Sequence, residues 1–373
     1  MKATVKWPAL AEAAKAVKSL VAKDATSPLS RVRLDASGRF SLTASNGGVQ
    51  VEWQVEDCEI AEQGTLTVPG AAFAAFVDAL PDGDIEIGGD AGKRVKLAAR
   101  DVAFRLASGV AAEYPVMPGP KADGGTSLSV GADILCDMLR KTRFAVAPEG
   151  TRKAVEGVNV ALKDGILGMT AMDGRRLAHV ERECLGADLA AVASVTLTTK
   201  AVAILCGLLE GMEKRGTGTV RATFDDAAAR FVGDCWCLTA RIIADAYPDW
   251  HRVVPERTAH EADINRAAFL EAIGRAALAA GNDSGVQVTL ADGCAAFTAR
   301  NEFTSADIAI DGCKVADGAK GTFRVNPKLF QEALGSIGCD TFRLGFDDEA
   351  GKPLALRCDL PWVSVIMPYR VEG

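Results

Sequence analysis

Leu66-Thr67-Val68-Pro69-Gly70-Ala71-Ala72-Phe73-Ala74-Ala75-Phe76-Val77-Asp78-Ala79-Leu80 reads as a short strand, a turn and an amphipathic helix. The same reading fits Val195 to Leu209 and Phe323 to Leu334. With Val68, Leu197 and Val325 taken as equivalent, the offsets are 129 and 128 residues. Each copy is followed by an alternating strand: Ile85 to Ile87, Val220 to Phe224 and Phe342 to Phe346. Repetition at a fixed offset bears on the whole fold, so it is weighed first.

A second unit precedes each copy. Thr4 to Val21 is a strand stub and a helix with apolar Leu10, Ala13, Val17 and Leu20 or Val21. Ser129 to Ala145 repeats it with Ile134, Leu135, Met138 and Leu139, and Asp263 to Ala279 with Phe269, Leu270, Ile273 and Leu278. Tyr114-Pro115-Val116-Met117 echoes Tyr247-Pro248-Asp249-Trp250 at an offset of 133. Tight turns are expected at Gly47-Gly48, Asp164-Gly165 and Asp292-Gly293. The chain therefore reads as three copies of an α+β unit, residues 1–122, 123–256 and 257–373, with polar joints at Pro118 to Gly125 and Pro255 to Glu261. Helices form one layer and antiparallel sheets the other.

The chain has 373 residues, 49% of them hydrophobic and 24% charged, and a formal net charge of −7. That balance suits a globular chain and argues against a generally basic nucleic-acid binder, while leaving local basic surfaces open. No apolar run is long enough for a membrane span, and the first residues lack the apolar core of a signal peptide, so a cytoplasmic protein is expected. The ten cysteines are scattered. Cys235 and Cys237 flank Trp236 with neither zinc-knuckle nor redox spacing, and are read as buried small hydrophobes.

Catalytic and cofactor patterns are missing from the sequence. His179, His251 and His260 show no metal-ligand spacing, and no phosphate-binding glycine loop or nucleophile elbow occurs. Asp249 and His251 would suit an acid–base pair, but no nucleophile accompanies them. Lys23, Arg140, Lys141, Arg143, Arg152, Lys200, Arg266, Arg275 and Lys328 lie in or near the repeated helices. They read equally as solvated faces or as a helix layer that meets a phosphate backbone.

Thr170-Ala171-Met172-Asp173-Gly174-Arg175-Arg176-Leu177-Ala178 follows an alternating run and ends a hairpin. Together with Arg143-Phe144-Ala145-Val146, Thr151-Arg152, Gly157-Val158, Tyr247-Pro248-Asp249-Trp250, Arg252 to Pro255 and Val365-Ile366-Met367-Pro368-Tyr369-Arg370-Val371, it resembles the bacterial sliding clamps, the β subunit of DNA polymerase III. The resemblance covers essentially the whole chain. It implies three clamp-type domains per subunit and a head-to-tail homodimeric ring, with helices lining the hole and sheets outside. It also implies a non-enzymatic processivity factor without a cofactor. Its partners would be duplex DNA of any sequence, a replicative polymerase, a clamp loader and other clamp-binding repair or replication proteins.

By position, the resemblance places a peptide groove at Val155, Met172, Gly174, Arg175, Arg176, Leu177, Pro248, Val253, Val365, Met367, Pro368, Tyr369, Arg370 and Val371. Leu177, Val253, Val365 and Met367 would take apolar ligand side chains, and Arg176 and Arg370 polar groups at the rim. It places the dimer contact at Phe104, Leu278 and Ala279, and Arg152 and Lys200 are the best-matched DNA contacts. Met172 and Arg175 stand where the family usually has Thr and His, and Tyr369 where it has Met, so a narrowed groove with a shifted preference is expected. Ala71 and Ala72 replace a common basic pair. The rival readings are a small-molecule enzyme with a site near Asp249 and His251, and a structural shell protein.

Overall fold

The computed structural model describes residues 1–121, 125–184, 193–216, 218–281, 285–315, 319–349 and 351–369. Six α-helices are found among them: α1 (Trp7–Lys18), α2 (Gly70–Ala79), α3 (Ala132–Arg140), α4 (Thr199–Arg215), α5 (Arg266–Ala277) and α6 (Pro327–Gly335). Each follows on a strand, α6 after one intervening residue and the others directly: Lys2–Lys6, Thr65–Pro69, Thr126–Gly131, Ala193–Thr198, His260–Asn265 and Gly321–Val325. This is the alternation that the repeat predicts.

Local chemistry explains the starts. Asn265 caps α5 by accepting from the Ala268 amide, and Asn326 caps α6 by accepting from that of Lys328. Proline occupies the first turn of α1 and α6, where no amide is needed. Leu10, Ala13, Ala14 and Val17 bury one face of α1, and Phe269, Ala272, Ile273 and Ala276 one face of α5. Phe269 meets Phe297 and Phe342 edge-on at 5.0 and 5.2 Å between centroids. Two residues expected on inner faces are turned outward: Ile134 is 37% exposed and Leu278 85%. Leu278 lies just beyond the last turn of α5, where the helical spacing no longer holds.

The chain forms two compact units. One takes in the described residues up to Leu135 and those from Lys200 to Ile242. The other takes in Cys136 to Cys184, the described residues from 193 to Thr199, and Ile243 to Tyr369. The middle repeat is thus divided between them, because its strands continue two different sheets.

In the first unit one antiparallel sheet runs through strands 126–131, 219–224, 228–232, 236–243, 49–54, 41–45, 31–35 and 65–69. In the second, the equivalent strands run in the same order: 260–265, 341–346, 354–357, 362–366, 176–183, 166–172, 157–163 and 193–198. Each sheet therefore has a junction where one repeat's strand pairs with the next repeat's: 49–54 with 236–243, and 176–183 with 362–366.

Two smaller sheets complete the fold. One has five strands and ends on Val102–Ala107; the other has four and ends on Ser305–Asp311. The expected glycine turns are present. Asp164 and Gly165, and likewise Asp292 and Gly293, all have φ between 51° and 79°, as two-residue hairpin turns require.

Cys235 and Cys237 depart from expectation. Both are half-buried rather than buried. The Arg230 Nε donates to the Cys237 Sγ at 3.0 Å, and Trp236 between them takes the interior place.

Candidate partner-binding site and DNA-facing cations

The stretch around Gly174 forms a hairpin in which Ile166–Met172 pairs with Arg176–Glu183. The Asp173 Oδ1 accepts from the Arg175 and Arg176 amides at 2.9 and 3.0 Å, and Gly174 supplies φ +85°. The C-terminal strand Trp362–Ile366 docks on this hairpin, with Leu177 opposite Val365. The Met367 amide donates to the Arg175 carbonyl at 2.8 Å, and the Tyr369 amide to that of Arg324 at 2.7 Å. Trp362 Nε1 donates to the Lys141 carbonyl, and Ser364 Oγ to that of Leu177.

This pairing gathers distant residues. Ala147, Val155, Met172, Leu177 and Val365 form one buried apolar cluster, covered by Tyr247, Trp250 and Val254. Four of the expected groove residues are therefore together. Val253 and Met367 are 39% and 36% exposed, Gly174 and Arg175 are exposed, and Pro248 is half-buried. Pro368 is buried. The Tyr369 ring lies where a Cβ on Gly285 would come within 2.6 Å of its Cε2. Arg370 and Val371 lie outside the described residues.

Two expectations are corrected. Leu177 and Val365 are 0% and 1% exposed, so they form a floor beneath Tyr247 and Trp250 and offer no open surface. Arg176 is not a rim residue. Its guanidinium binds Asp173 Oδ2 at 3.0 Å and Glu332, lies 5.5 Å from the centre of the Phe144 ring, and is 12% exposed. It ties the hairpin to α6.

Tyr247, Trp250, Val254 and Ala147 are the site residues that the residue-by-residue reading omitted. The signal was present, since two aromatic residues flank Pro248-Asp249. Trp250 is stacked between His179 at 3.8 Å and His251 at 3.9 Å. His179 is buried, which lowers its pKa; its Nδ1 faces Thr170 Oγ1 at 2.8 Å and its Nε2 faces Glu181 Oε1 at 3.0 Å. In the neutral ring, the Thr170 hydroxyl donates to Nδ1 and Nε2–H donates to the carboxylate. Burial also raises the Tyr247 hydroxyl's pKa. Beside this stack is a cavity of about 410 Å³ lined by His179, Trp250, Arg357, Cys358, Leu360 and Trp362, among others. Asp249 and His251 are hydrogen-bonded at 3.0 Å on an exposed loop, and that contact holds Asp249 below the usual carboxylate range.

The candidate DNA-contacting cations divide. Lys23, Arg143, Arg152, Lys200, Arg275 and Lys328 are exposed, with Arg275 paired to Glu271 and Lys328 3.8 Å from Glu332. Arg140 is half-buried. Lys141 does not fit the role, because its side chain is 5% exposed and bonded to Asp137 at 2.6 Å. Arg266 does not fit either. Its guanidinium donates to the carbonyls of Cys339 at 2.7 Å and Leu334 at 3.2 Å, closing the C-terminal end of α6.

The candidate dimer residues differ among themselves. Phe104 is half-buried, stacked on Phe76 at 4.4 Å, and sits on the edge strand Val102–Ala107. Leu278 is exposed while Ala279 is buried. Phe303, 87% exposed, was not anticipated; the Thr304 hydroxyl beside it donates to the Ala279 carbonyl.

Repeated strand-then-helix units joined through shared sheets define a clamp-type α+β protein. The chain superposes on the DNA polymerase sliding clamp of Bacillus subtilis with a TM-score of 0.92 at 24% identity, covering 100% of this chain and 99% of that one. The DNA polymerase III beta subunit of Pseudomonas aeruginosa gives 0.91 at 23%, covering 100% of both. Residues 1–118 match the family described as DNA polymerase III beta subunit, N-terminal domain. The beta sliding clamps of Caulobacter vibrioides and Streptomyces coelicolor are 29% and 27% identical to it, each over 100% of both chains. The chain is thus similar over its full length to the beta sliding clamps, the DNA polymerase III beta subunits, and its first 118 residues match that family's N-terminal domain.

Proposed function

We propose that the chain is a DNA sliding clamp, a non-catalytic processivity factor that closes around duplex DNA as a head-to-tail homodimer and tethers a replicative polymerase. The relatives are clamps over their full length, and none of those compared supports the small-molecule enzyme. The three repeats, 1–122, 123–256 and 257–373, are its three domains, and it works in the cytoplasm.

One observation carries the ring. The chain holds two closed junctions and the two halves of a third. Ser305–Asp311 corresponds to strands 49–54 and 176–183, and Val102–Ala107 to strands 236–243 and 362–366. Each of the two ends its sheet without a further neighbour among the described residues. The turn before Ser305 even repeats the other two: Asn301 Oδ1 accepts from the Phe303 and Thr304 amides, both at 2.8 Å. A second copy supplies the missing strand by the same antiparallel pairing. The resulting contact is heterologous, strand 305–311 of one copy against strand 102–107 of the other, and its two instances, related by a twofold axis, close the ring after two subunits. Leu278 and Phe303 give that contact apolar surface. A closed ring stays on DNA by topology, so exposed Lys23, Arg143, Arg152 and Lys200 need only weak phosphate contacts.

The surface over the apolar cluster, where Val253 and Met367 are exposed beside half-buried Tyr247 and Trp250, is the docking site for a short apolar segment of the polymerase, the clamp loader and other replication or repair partners. Met172 and Met367 adapt to differing side chains. An ATP-driven loader opens the ring. The test loads the protein with a clamp loader onto nicked circular DNA. The protein should elute with the circle and be lost when a restriction enzyme linearises it. Retention that survives linearisation overturns the proposal.

A further inference from the structure

Helices α1 and α4 wall a cavity of about 680 Å³ within the first compact unit. It belongs neither to the proposed docking surface nor to the open sheet edges. Glu12, Lys15, Ala16 and Ser19 reach it from one face of α1, and Ala203, Gly207, Gly211 and Lys214 from one face of α4, each set at helical spacing. Trp53 and Leu208 form its floor, 5% and 6% exposed. Gly207 borders open space, since a Cβ added there would meet no atom within 4 Å. Arg215 closes one end. Its guanidinium pairs with Glu12 and lies 6.0 Å from the centre of the Trp53 ring, so it joins α4 to α1 across the floor. Lys15, Lys214 and Arg215 stand against Glu12 and Glu210 in the lining, three cations to two carboxylates. Arg215 and Glu12 satisfy each other. Lys15 and Lys214 are exposed on opposite walls and make no ion pair among the described residues.

We propose that this cavity binds a small amphiphilic anion, an apolar body bearing one carboxylate or sulfonate. Its size and lining are those of a small-molecule site, which is concave, mostly apolar and fitted with a few polar groups. The apolar body covers Ala16, Ala203 and Ile204 above the floor of Trp53 and Leu208, and the water it displaces supplies the driving force. The charge sits at the mouth between Lys15 and Lys214, whose ammonium groups reach it while their stems lie along the walls. A neutral ligand leaves the excess positive charge unmatched, and added negative charge meets Glu210. Duplex DNA offers phosphates but no apolar body to cover the floor. Because α1 belongs to the first repeat and α4 to the second, the ligand bridges two repeats.

The experiment titrates the full-length protein with anilinonaphthalene sulfonate, read by its fluorescence, and in parallel with the neutral analogue phenylnaphthylamine. Gly207→Leu fills the cavity from one wall, and leucine suits an exposed helical position better than glycine, so the fold is not at risk. It should weaken both probes by about tenfold or more. Lys15→Ala with Lys214→Ala should weaken the sulfonate by about fivefold and leave the neutral probe unchanged. Neither an unlabelled Gln-Leu-x-Leu-Phe peptide nor a short DNA duplex should displace the sulfonate. The proposal is overturned by sulfonate binding that survives Gly207→Leu, or by equal losses of the two probes in the lysine variant. Displacement by the peptide places the probe on the docking surface, and displacement by the duplex assigns the two lysines to phosphate; either result also overturns it.

Discussion

Two turns in this chain share a backbone and differ in chemistry. Asn46-Gly47-Gly48-Val49 and Asp173-Gly174-Arg175-Arg176 each carry a side-chain oxygen that accepts two amides, and a glycine at φ +86° or +85°. Each is closed by one bond from the neighbouring repeat, Arg241 to Gly48 or Met367 to Arg175, both 2.8 Å. Each lies near a tyrosine, buried Tyr114 or half-buried Tyr247, whose pKa is raised by desolvation, to about 12 for Tyr114. The interior differs. Ser45, Gln50 and Thr239 stand where Met172, Leu177 and Val365 stand in the other, and Gln50 Oε1 accepts from the Met117 amide at 2.9 Å. An apolar ligand entering the first junction would orphan Gln50, at roughly 1–3 kcal/mol. Only the second can exchange one apolar contact for another. The scaffold is copied; the site is not.

Making the second junction resemble the first should have the largest effect. Leu177→Gln with Val365→Thr should weaken a labelled Gln-Leu-x-Leu-Phe peptide by about 100-fold or more, since polar groups in the floor displace Met172, Tyr247 and Trp250, which shape the docking surface. Fluorescence anisotropy reads it, with circular dichroism confirming the fold. Unchanged affinity would remove the groove from this cluster.

The third, open junction comes next. Leu278→Lys places a charge in an apolar contact and should weaken the dimer about 10- to 100-fold in sedimentation. Phe303→Ser should act in the same direction by less. A dimer unaffected by either places the contact elsewhere.

Arg176 sharpens the contrast, because Val49 takes its place in the first turn and makes no ion pair. Arg176→Ala should cost about 2 kcal/mol in urea unfolding by orphaning Asp173 and Glu332, while Val49→Ala should cost only its lost packing.

The smallest effect concerns pH. His179 lies under Trp250, where the first junction has Glu52 on an exposed position. Burial depresses the folded-state pKa of His179, so the unfolded chain takes up the proton first. The stability this group contributes is present above the unfolded value of about 6.5 and is lost as pH falls below it, by at most about 1.4 kcal/mol per pH unit. His179→Gln should flatten the slope between pH 7 and 5. A slope unchanged by the substitution assigns it to other groups.

The fold was legible because strands and helices recur at matched offsets, and periodicity reports which face is buried. Most of the apolar floor was legible through its motifs. What sequence spacing does not carry is the partner of a long charged side chain. Arg176 meets Glu332 from 156 residues away, and Arg266 meets Cys339 from 73. Lys141 is enclosed where Trp362 docks, 221 residues on. Each looked like a free cation; Arg176 and Arg266 are held by distant segments, and Lys141 is paired with nearby Asp137 while Trp362 binds its carbonyl. Leu278 lies beyond the last turn of α5, and its exposure leaves it free for the contact at which its position in the chain places it.

The hydrogen bond that closes each turn uses a main-chain carbonyl. Nothing in it depends on the side chain of the residue that provides it, which is glycine at 48 and arginine at 175. Phenylalanine occupies the matching place, 303, at the open edge. The joint is therefore silent in the letters of the chain. Letter-by-letter comparison of the three repeats shows no kinship at this position, although the two closed copies are joined by the same bond. Selection can change what each joint displays without loosening it, so that one geometry suits an inert seam, the proposed docking surface and the proposed subunit boundary alike.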